Sequence, residues 1–217
     1  MTTPTTYIRK PDAKLLTHAD VESKRYALGG LSVNYNTDGT ADIVATDGRR
    51  LIVAHRNGGP VTDEPVSVIV DASTIKETTK QLKHNTKTKE RALLTPTEVI
   101  TKSTTTNAEI IDGLFPTWQG IVAHSIVDSA GKTVITGTNS KAADRTCAIA
   151  RVDARYLADA ALAVLAAVET EDADDKSLWL CVPTENQRAE HPVELYRTNE
   201  DGSETARAVI MPLATRN

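Results

Sequence analysis

The sequence predicts an α+β fold, antiparallel sheet with helices on one face, and three observations carry that expectation. First, residues 28–55 read LGGLSVNYNTDGTADIVATDGRRLIVAH. These are three β-rich runs parted by Asp38-Gly39 and Asp47-Gly48, pairs that favour hairpin turns because glycine accepts positive φ. Second, VSVIVDASTIKETTKQL at 66–82 and CAIARVDARYLADAALAVL at 147–165 share one order: apolar strand, Val-Asp-Ala, then helix. An internal repeat at that separation suits two related units. Third, charge is segregated: residues 1–121 hold 15 Lys and Arg against 14 Asp and Glu, and the remaining 96 hold 10 against 15. The balance changes near Ile121, so domains are expected over 1–121 and 122–217.

Pro11 can open a helix, and Leu15, Leu16 and Ala19 share one face as far as about Asp20. After the meander, Val66–Val70 is a strand leading into Asp71, whose carboxylate can cap a helix running to about Asn85. Short strands follow at 92–94, 98–102 and 107–111, ending in Gly113-Leu114-Phe115-Pro116-Thr117-Trp118. The second half opens with a β pair, 121–127 and 133–136, joined through Asp128-Ser129-Ala130-Gly131. The run 147–152 meets Asp153, and the helix from Arg155 to about Val168 repeats its apolar residues at i, i+4 and i+8. Strands at 178–183, 192–196 and 206–213 complete the chain.

Composition narrows the function classes. The 217 residues are 40% hydrophobic and 25% charged, and no 18-residue apolar run offers a membrane helix. The start MTTPTTYIRK lacks the apolar core of a secretory signal, so the chain is predicted to be cytoplasmic. Cys147 and Cys181 have neither CxxC nor zinc-type spacing and read as packed free thiols. A net charge of −4 argues against coating nucleic acid by general positivity. Catalytic signals are weak. Ala130-Gly131-Lys132-Thr133 lacks the first glycine of a phosphate-binding loop, the five histidines show no HExxH pairing, and GxSxG is missing. The acids from Glu169 to Asp175 have no defined ligand frame and read as a surface loop, not a metal site. No enzyme, metal or cofactor is expected.

Lys76, Lys80, Lys83 and Lys87 recur at i, i+4, i+7 and i+11, which on a helix confines them to an arc of roughly 60°. Such a stripe can neutralise phosphates without reading bases. On charge alone it is equally a solvated face.

Together, RYALGGL at 25–31, IVATDGRRLIV at 43–53, VSVIV at 66–70 and DGLFPTWQGIV at 112–122 resemble the middle domain of the bacterial β sliding clamp, the processivity ring of DNA polymerase III. VDARYLADAALAVL at 152–165 and ARAVIMPL at 206–213 resemble its last domain. No counterpart of the family's first domain is seen, so six clamp units would need three copies of the chain. Residues 122–152 are also too few for the second unit's first helix, so a shortened domain is expected there.

The resemblance implies a non-enzymatic clamp that encircles duplex DNA without sequence preference. It would tether a replicative polymerase and clamp loader through short linear motifs, as a homo-oligomer, a homotrimer favoured. The lysine-bearing helix would face DNA. A hydrophobic peptide pocket would have Leu28, Thr46, Gly48, Arg49, Arg50, Leu51, Pro116, Gly120 and Ile121 on one wall. Asp153, Tyr156, Val193, Val209, Met211, Pro212 and Leu213 would form the other. Gly120 and Asp153 depart from the family's usual residues. The rival reading is a clamp-like interaction module or regulator that keeps the pocket without encircling DNA.

Overall fold

The computed structural model describes residues 2–21, 26–84, 88–119, 126–127, 133–134, 153–167, 178–181, 192–198 and 204–211. Its first strand, β1 (Thr6–Arg9), runs into a 3-10 helix over Lys10–His18, where the sequence predicts a helix from Pro11. Asp12 fixes this turn by accepting the Arg9 backbone N–H at 2.8 Å. The expected meander follows as β2 (Gly30–Tyr35), β3 (Ala41–Thr46) and β4 (Arg50–Arg56). Its turn glycines, Gly39 and Gly48, have φ of +83° and +84°, a region that other residues enter only with strain.

Next, β5 (Val66–Asp71) leads into α1 (Ala72–Gln81), and the Asp71 carboxylate accepts the Ser73 N–H at 2.6 Å. The expected cap is present, but the helix stops at Gln81, short of Asn85. Leu82 turns to extended φ/ψ with its side chain buried. Beyond it Lys83 and Glu90 exchange hydrogen bonds: the Lys83 N–H donates to the Glu90 carboxylate, and the Glu90 N–H donates to the Lys83 carbonyl. This hairpin draws the chain out of the helix one turn early.

Strands β6 (Arg91–Leu94), β7 (Glu98–Ile100) and β8 (Thr105–Asn107) complete a small sheet in the order β1-β6-β7-β8. The strand expected at 107–111 is displaced toward the N-terminus. Residues 109–111 instead cover the edge of β5: Asp71 N–H donates to Glu109 O and Ile111 N–H to Ile69 O, each at 2.8 Å.

In the second half, β9 (Ile126–Val127) pairs with β10 (Thr133–Val134). Helix α2 spans Ala154–Ala167, with Asp153 accepting the Arg155 N–H at 2.8 Å. Strands β11 (Trp179–Cys181), β12 (Val193–Thr198) and β13 (Glu204–Ile210) follow. The apolar run at 147–152, with Cys147 in it, and the question of a missing first helix lie outside the described residues.

A seven-stranded antiparallel sheet, ordered β11-β12-β13-β4-β3-β2-β5, crosses both halves of the sequence. At its centre β13 pairs with β4, from Ala206↔Ala54 to Ile210↔Arg50. One face carries the main core, in which Leu31, Val33, Ile43, Ile52, Ala208 and Ile210 meet Leu15 of the 3-10 helix, Ile75 of α1, and Ala160 and Val164 of α2. The small sheet contributes Ile8, Ala92, Leu94 and Val99 to the same cluster. On the other face Val44, Leu51, Val53 and Val209 pack with Trp118 and Phe115.

A buried charge cluster ties these layers together. Asp12 is fully buried, and its Oδ1 accepts from both Arg9 and Arg56 at 2.9 Å. Arg9 also donates to the carbonyls of Ala166 and Ala167, and Arg56 to that of Ala167, so two guanidiniums satisfy the last turn of α2. Removing one partner of such a cluster strands charges that water cannot reach. Asp12→Ala is expected to cost about 3–5 kcal/mol, read from the urea unfolding midpoint. A loss below ~1 kcal/mol would show that the cluster does not hold the layers.

Candidate functional site

The turn after β3 is built by side chains. Asp47 Oδ1 accepts the N–H groups of Arg49 and Arg50 at 2.9 and 3.0 Å. Thr46 Oγ1 donates to the Arg50 carbonyl at 2.7 Å and accepts the Gly48 N–H at 3.1 Å. Short polar side chains thus hold a glycine apex in one conformation.

The end of β13 lies directly against this turn. Leu51 is paired with Val209 in register, and the Met211 N–H donates to the Arg49 carbonyl at 3.1 Å. From the helix face, Tyr156 stacks on the Arg50 guanidinium, 4.4 Å from ring centroid to Cζ. Arg50 also donates to Asp47 Oδ2 at 3.0 Å, Asp159 Oδ2 at 2.7 Å and the Thr17 carbonyl at 2.6 Å. Burial lowers the Arg50 pKa, but its hydrogen bonds to Asp159 and Asp47 outweigh this and leave it raised.

Several expected site residues are therefore neighbours: Thr46, Gly48, Arg49, Arg50 and Leu51 on the turn, Val209 and Met211 on β13, and Tyr156 on α2. They form a ledge around the end of the sheet. Leu51 and Val209 belong to the Trp118 face, while Tyr156 packs on the opposite, helix-bearing face. Met211, 43% exposed, and exposed Arg49 are the accessible side chains, beside the exposed Gly48. Leu28 and Val193 are buried, as are Leu51 and Val209, so their contribution is to support the surface. Asp153 caps α2 and pairs with Arg155 at 2.9 Å; hydrogen bonds from Arg155 hold its pKa down to about 2. Exposed Pro116 lines a separate cavity of about 510 Å³ between β2, β5 and the 110–119 segment, whose lining includes Ser32, Asn34, Ser67 and Trp118. Gly120, Ile121, Pro212 and Leu213 lie outside the described residues.

Of the four lysines, Lys76 and Lys80 are exposed on α1, Lys83 lies in the hairpin beyond the helix end, and Lys87 is outside the described residues. Among the described residues no three His, Cys, Asp or Glu side chains gather as a metal site. None of their helices is long and apolar enough to cross a membrane.

Sequence reasoning missed Asp159, Thr17 and His18. Asp159 stands one helical turn after Tyr156, so its side of the helix was legible; the reach of Arg50 to it was not. His18 is fully buried, with Nδ1 3.1 Å from Thr17 Oγ1 and no partner at Nε2 among the described residues.

Residues 13–117 match the sequence family described as the DNA polymerase III beta subunit, central domain. These 105 of 217 residues are similar to a sliding-clamp central domain. Nearly all of the chain also follows solved clamps in fold. Against the DNA polymerase sliding clamp of Pseudomonas aeruginosa with ligand, identity is 14%, coverage 99% of this chain and 67% of that one, and the TM-score 0.62. The Helicobacter pylori beta clamp bound to DNA ligase peptide gives 16%, 99%, 67% and 0.62. The beta subunit from DNA polymerase of Streptococcus pyogenes gives 12%, 99%, 67% and 0.63. The chain thus has the clamp fold over about two thirds of a clamp chain's length. A search of curated protein sequences gives no match.

Buried His18 is expected to make the stability of the fold depend on pH. Burial, followed by the positive charge of Arg50, lowers its pKa from 6.5 to about 4, against smaller opposing effects of Asp47 and Asp159. Between those values the unfolded chain binds a proton that the folded chain refuses, so stability falls as pH drops below about 6.5, by up to about 3 kcal/mol near pH 4. His18→Gln is expected to flatten that slope in urea unfolding at pH 7, 6 and 5. Parallel curves for the two proteins would contradict a buried neutral imidazole.

Proposed function

We propose that the protein is a sliding-clamp subunit that encircles duplex DNA and tethers a polymerase and clamp loader through short peptide motifs, with no catalytic chemistry of its own. The observation that carries this reading is the docking of the Thr46–Leu51 turn onto Val209 and Met211, beside Tyr156, in a chain with the clamp fold. A half-exposed methionine suits an aliphatic or aromatic anchor, because its thioether side chain adapts to the shape presented. The ligase peptide on the Helicobacter pylori clamp supports a short peptide as the class of partner.

Residues 1–121 and 122–217 act as two clamp units in this proposal, and three copies of the chain supply six. Lys76, Lys80, Lys83 and Lys87 meet the phosphates. The polymerase and loader use the ledge and the DNA uses the lysines, so each function can be removed separately. The rival reading, an interaction module that does not encircle DNA, is favoured by one observation: the helix ends before Lys83, which leaves two of the four lysines on α1.

A Gln-x-x-Leu-Phe peptide is expected to bind the wild type in the micromolar range, since a few anchors must offset the ordering of a flexible segment. Met211→Asp puts a carboxylate against those anchors at a cost of about 2 kcal/mol or more. Calorimetry should show binding abolished with the fold intact; equal affinities would move the partner site elsewhere.

Replacing the four lysines with glutamate should weaken retention on circular duplex DNA for every sequence. Its salt slope should shrink by about 0.9 for each phosphate that is no longer neutralised. Light scattering should give the mass of a trimer. Unchanged DNA retention by the assembled variant, or a strict monomer at high micromolar concentration, would favour the rival reading.

A further inference from the structure

The segment from Glu109 to Gln119 crosses the Trp118 face of the large sheet as a strap fixed at both ends. At one end the Ile111 N–H donates to the Ile69 carbonyl, and the Glu109 N–H to Thr74 Oγ1 at 3.1 Å. At the other, Trp118 is buried against Val44, Leu51, Val53 and Val209. The cavity of about 510 Å³ lies between this strap and strands β2 and β5, within the range of roughly 300–1,000 Å³ usual for ligand sites. In the sheet β2 and β5 are the second and third neighbours of β4, so the cavity and the ledge are different places.

The floor of the cavity presents hydrogen-bond acceptors. Asn34 Nδ2 lies 3.4 Å from both Ser32 Oγ and the Asp42 carbonyl. A carbonyl can only accept, so the amide turns its N–H groups that way and its oxygen toward Ser67. Ser67 Oγ donates to that oxygen at 2.8 Å, which spends the hydroxyl proton. Exposed Ser67 and half-buried Asn34 therefore offer lone pairs. The Asp42 carboxylate is engaged by His55 Nδ1 at 2.6 Å. Among the described lining residues Asp112 alone is charged, and its exposed carboxylate has no partner among the described residues. The walls are apolar: Ile69, Ile110, Phe115, and Leu114, which is 94% exposed.

We propose that this cavity receives an arginine side chain of a partner protein, its guanidinium on Ser67, Asn34 and Asp112 and an apolar neighbour of that arginine on Leu114. The chemistry of the lining selects this occupant. A phosphate or carboxylate would meet no cation among the described lining residues, and the protons of Ser67 and Asn34 are already spent. A guanidinium carries five N–H donors in one plane and no acceptor, is more weakly hydrated than an ammonium, and has a stem that lies well on apolar walls. The proposal does not rest on the peptide site at the ledge.

The test titrates acetyl-Leu-Arg-Leu-amide into the isotopically labelled full chain and follows the backbone amides by NMR. The same peptide with citrulline supplies a neutral isostere of arginine, and one with Glu supplies an anion. Shifts should fall on Ser32, Asn34, Ser67 and residues 110–119. The Arg peptide should bind about fivefold more tightly than the citrulline peptide, the upper range for an exposed ion pair, and the Glu peptide more weakly than either. Asp112→Asn should bring the ratio of Arg to citrulline to one. Leu114→Ser should weaken both peptides by a common factor and keep the ratio. Both side chains are exposed, so both variants should keep the fold.

Equal affinity for the Arg and citrulline peptides in wild type, or a preference that survives Asp112→Asn, would overturn the proposal. So would binding of none of the three peptides, or shifts confined to residues 46–51 and 209–211. Each of these results leaves the reading of the ledge as a site for Gln-x-x-Leu-Phe peptides standing, because that reading is tested by a different ligand on different residues.

Discussion

The pairing of β13 with β4 is the constraint on which the rest depends. Five residue pairs, from Ala206↔Ala54 to Ile210↔Arg50, join segments separated by about 150 residues of chain. Backbone groups in a buried strand must find partners, so this ladder does more than adjoin two halves. It sets the register in which alternate side chains face the helices or Trp118. Slipping it by one residue would turn Ile210 out of the main core and move Val209 away from Leu51. The site depends on the same register, because Met211 reaches the Arg49 carbonyl only as the ladder's next step.

Charged groups secure this arrangement from the helix face. At one end of the 3-10 helix, Arg9, Asp12 and Arg56 hold the last carbonyls of α2. At the other, the Thr17 carbonyl and Asp159 hold Arg50. Both ends of one short helix thus grip α2, and the apolar packing of Leu15 with Ala160 and Val164 fills the space between. Buried ions contribute little net stability over apolar residues of equal size, yet they penalise every misaligned alternative. Here that penalty falls on any displacement of α2 from the sheet, and so on any displacement of Tyr156 from the turn.

Local chemistry made much of this fold legible in the sequence. The meander was readable because Asp38-Gly39 and Asp47-Gly48 demand turns, and both helix starts because Asp71 and Asp153 can cap. Differences arise where a distant interaction outweighs a local preference. The helix capped by Asp71 is expected to run to about Asn85, but buried Leu82 and the Lys83–Glu90 exchange end it at Gln81. The strand expected at 107–111 is divided because residues 109–111 cover the β5 edge. Of the residues that the resemblance offers as a peptide site, the structure makes the turn, Tyr156 and Met211 neighbours. The resemblance could not reveal that Leu28 and Val193 are buried, or that Arg50 is consumed by Asp159 and Thr17, since those facts depend on α2 and the 3-10 helix meeting over the sheet.

If the β4–β13 junction is where a partner peptide binds, backbone amide mapping by NMR tests it most directly, as a Gln-x-x-Leu-Phe peptide is added to the isotopically labelled chain. The largest shifts should fall on residues 46–51, Tyr156 and residues 209–211, with α1 unaffected. Shifts confined to Ser32, Ser67 and residues 110–119 would place the peptide in the separate cavity and contradict a junction site.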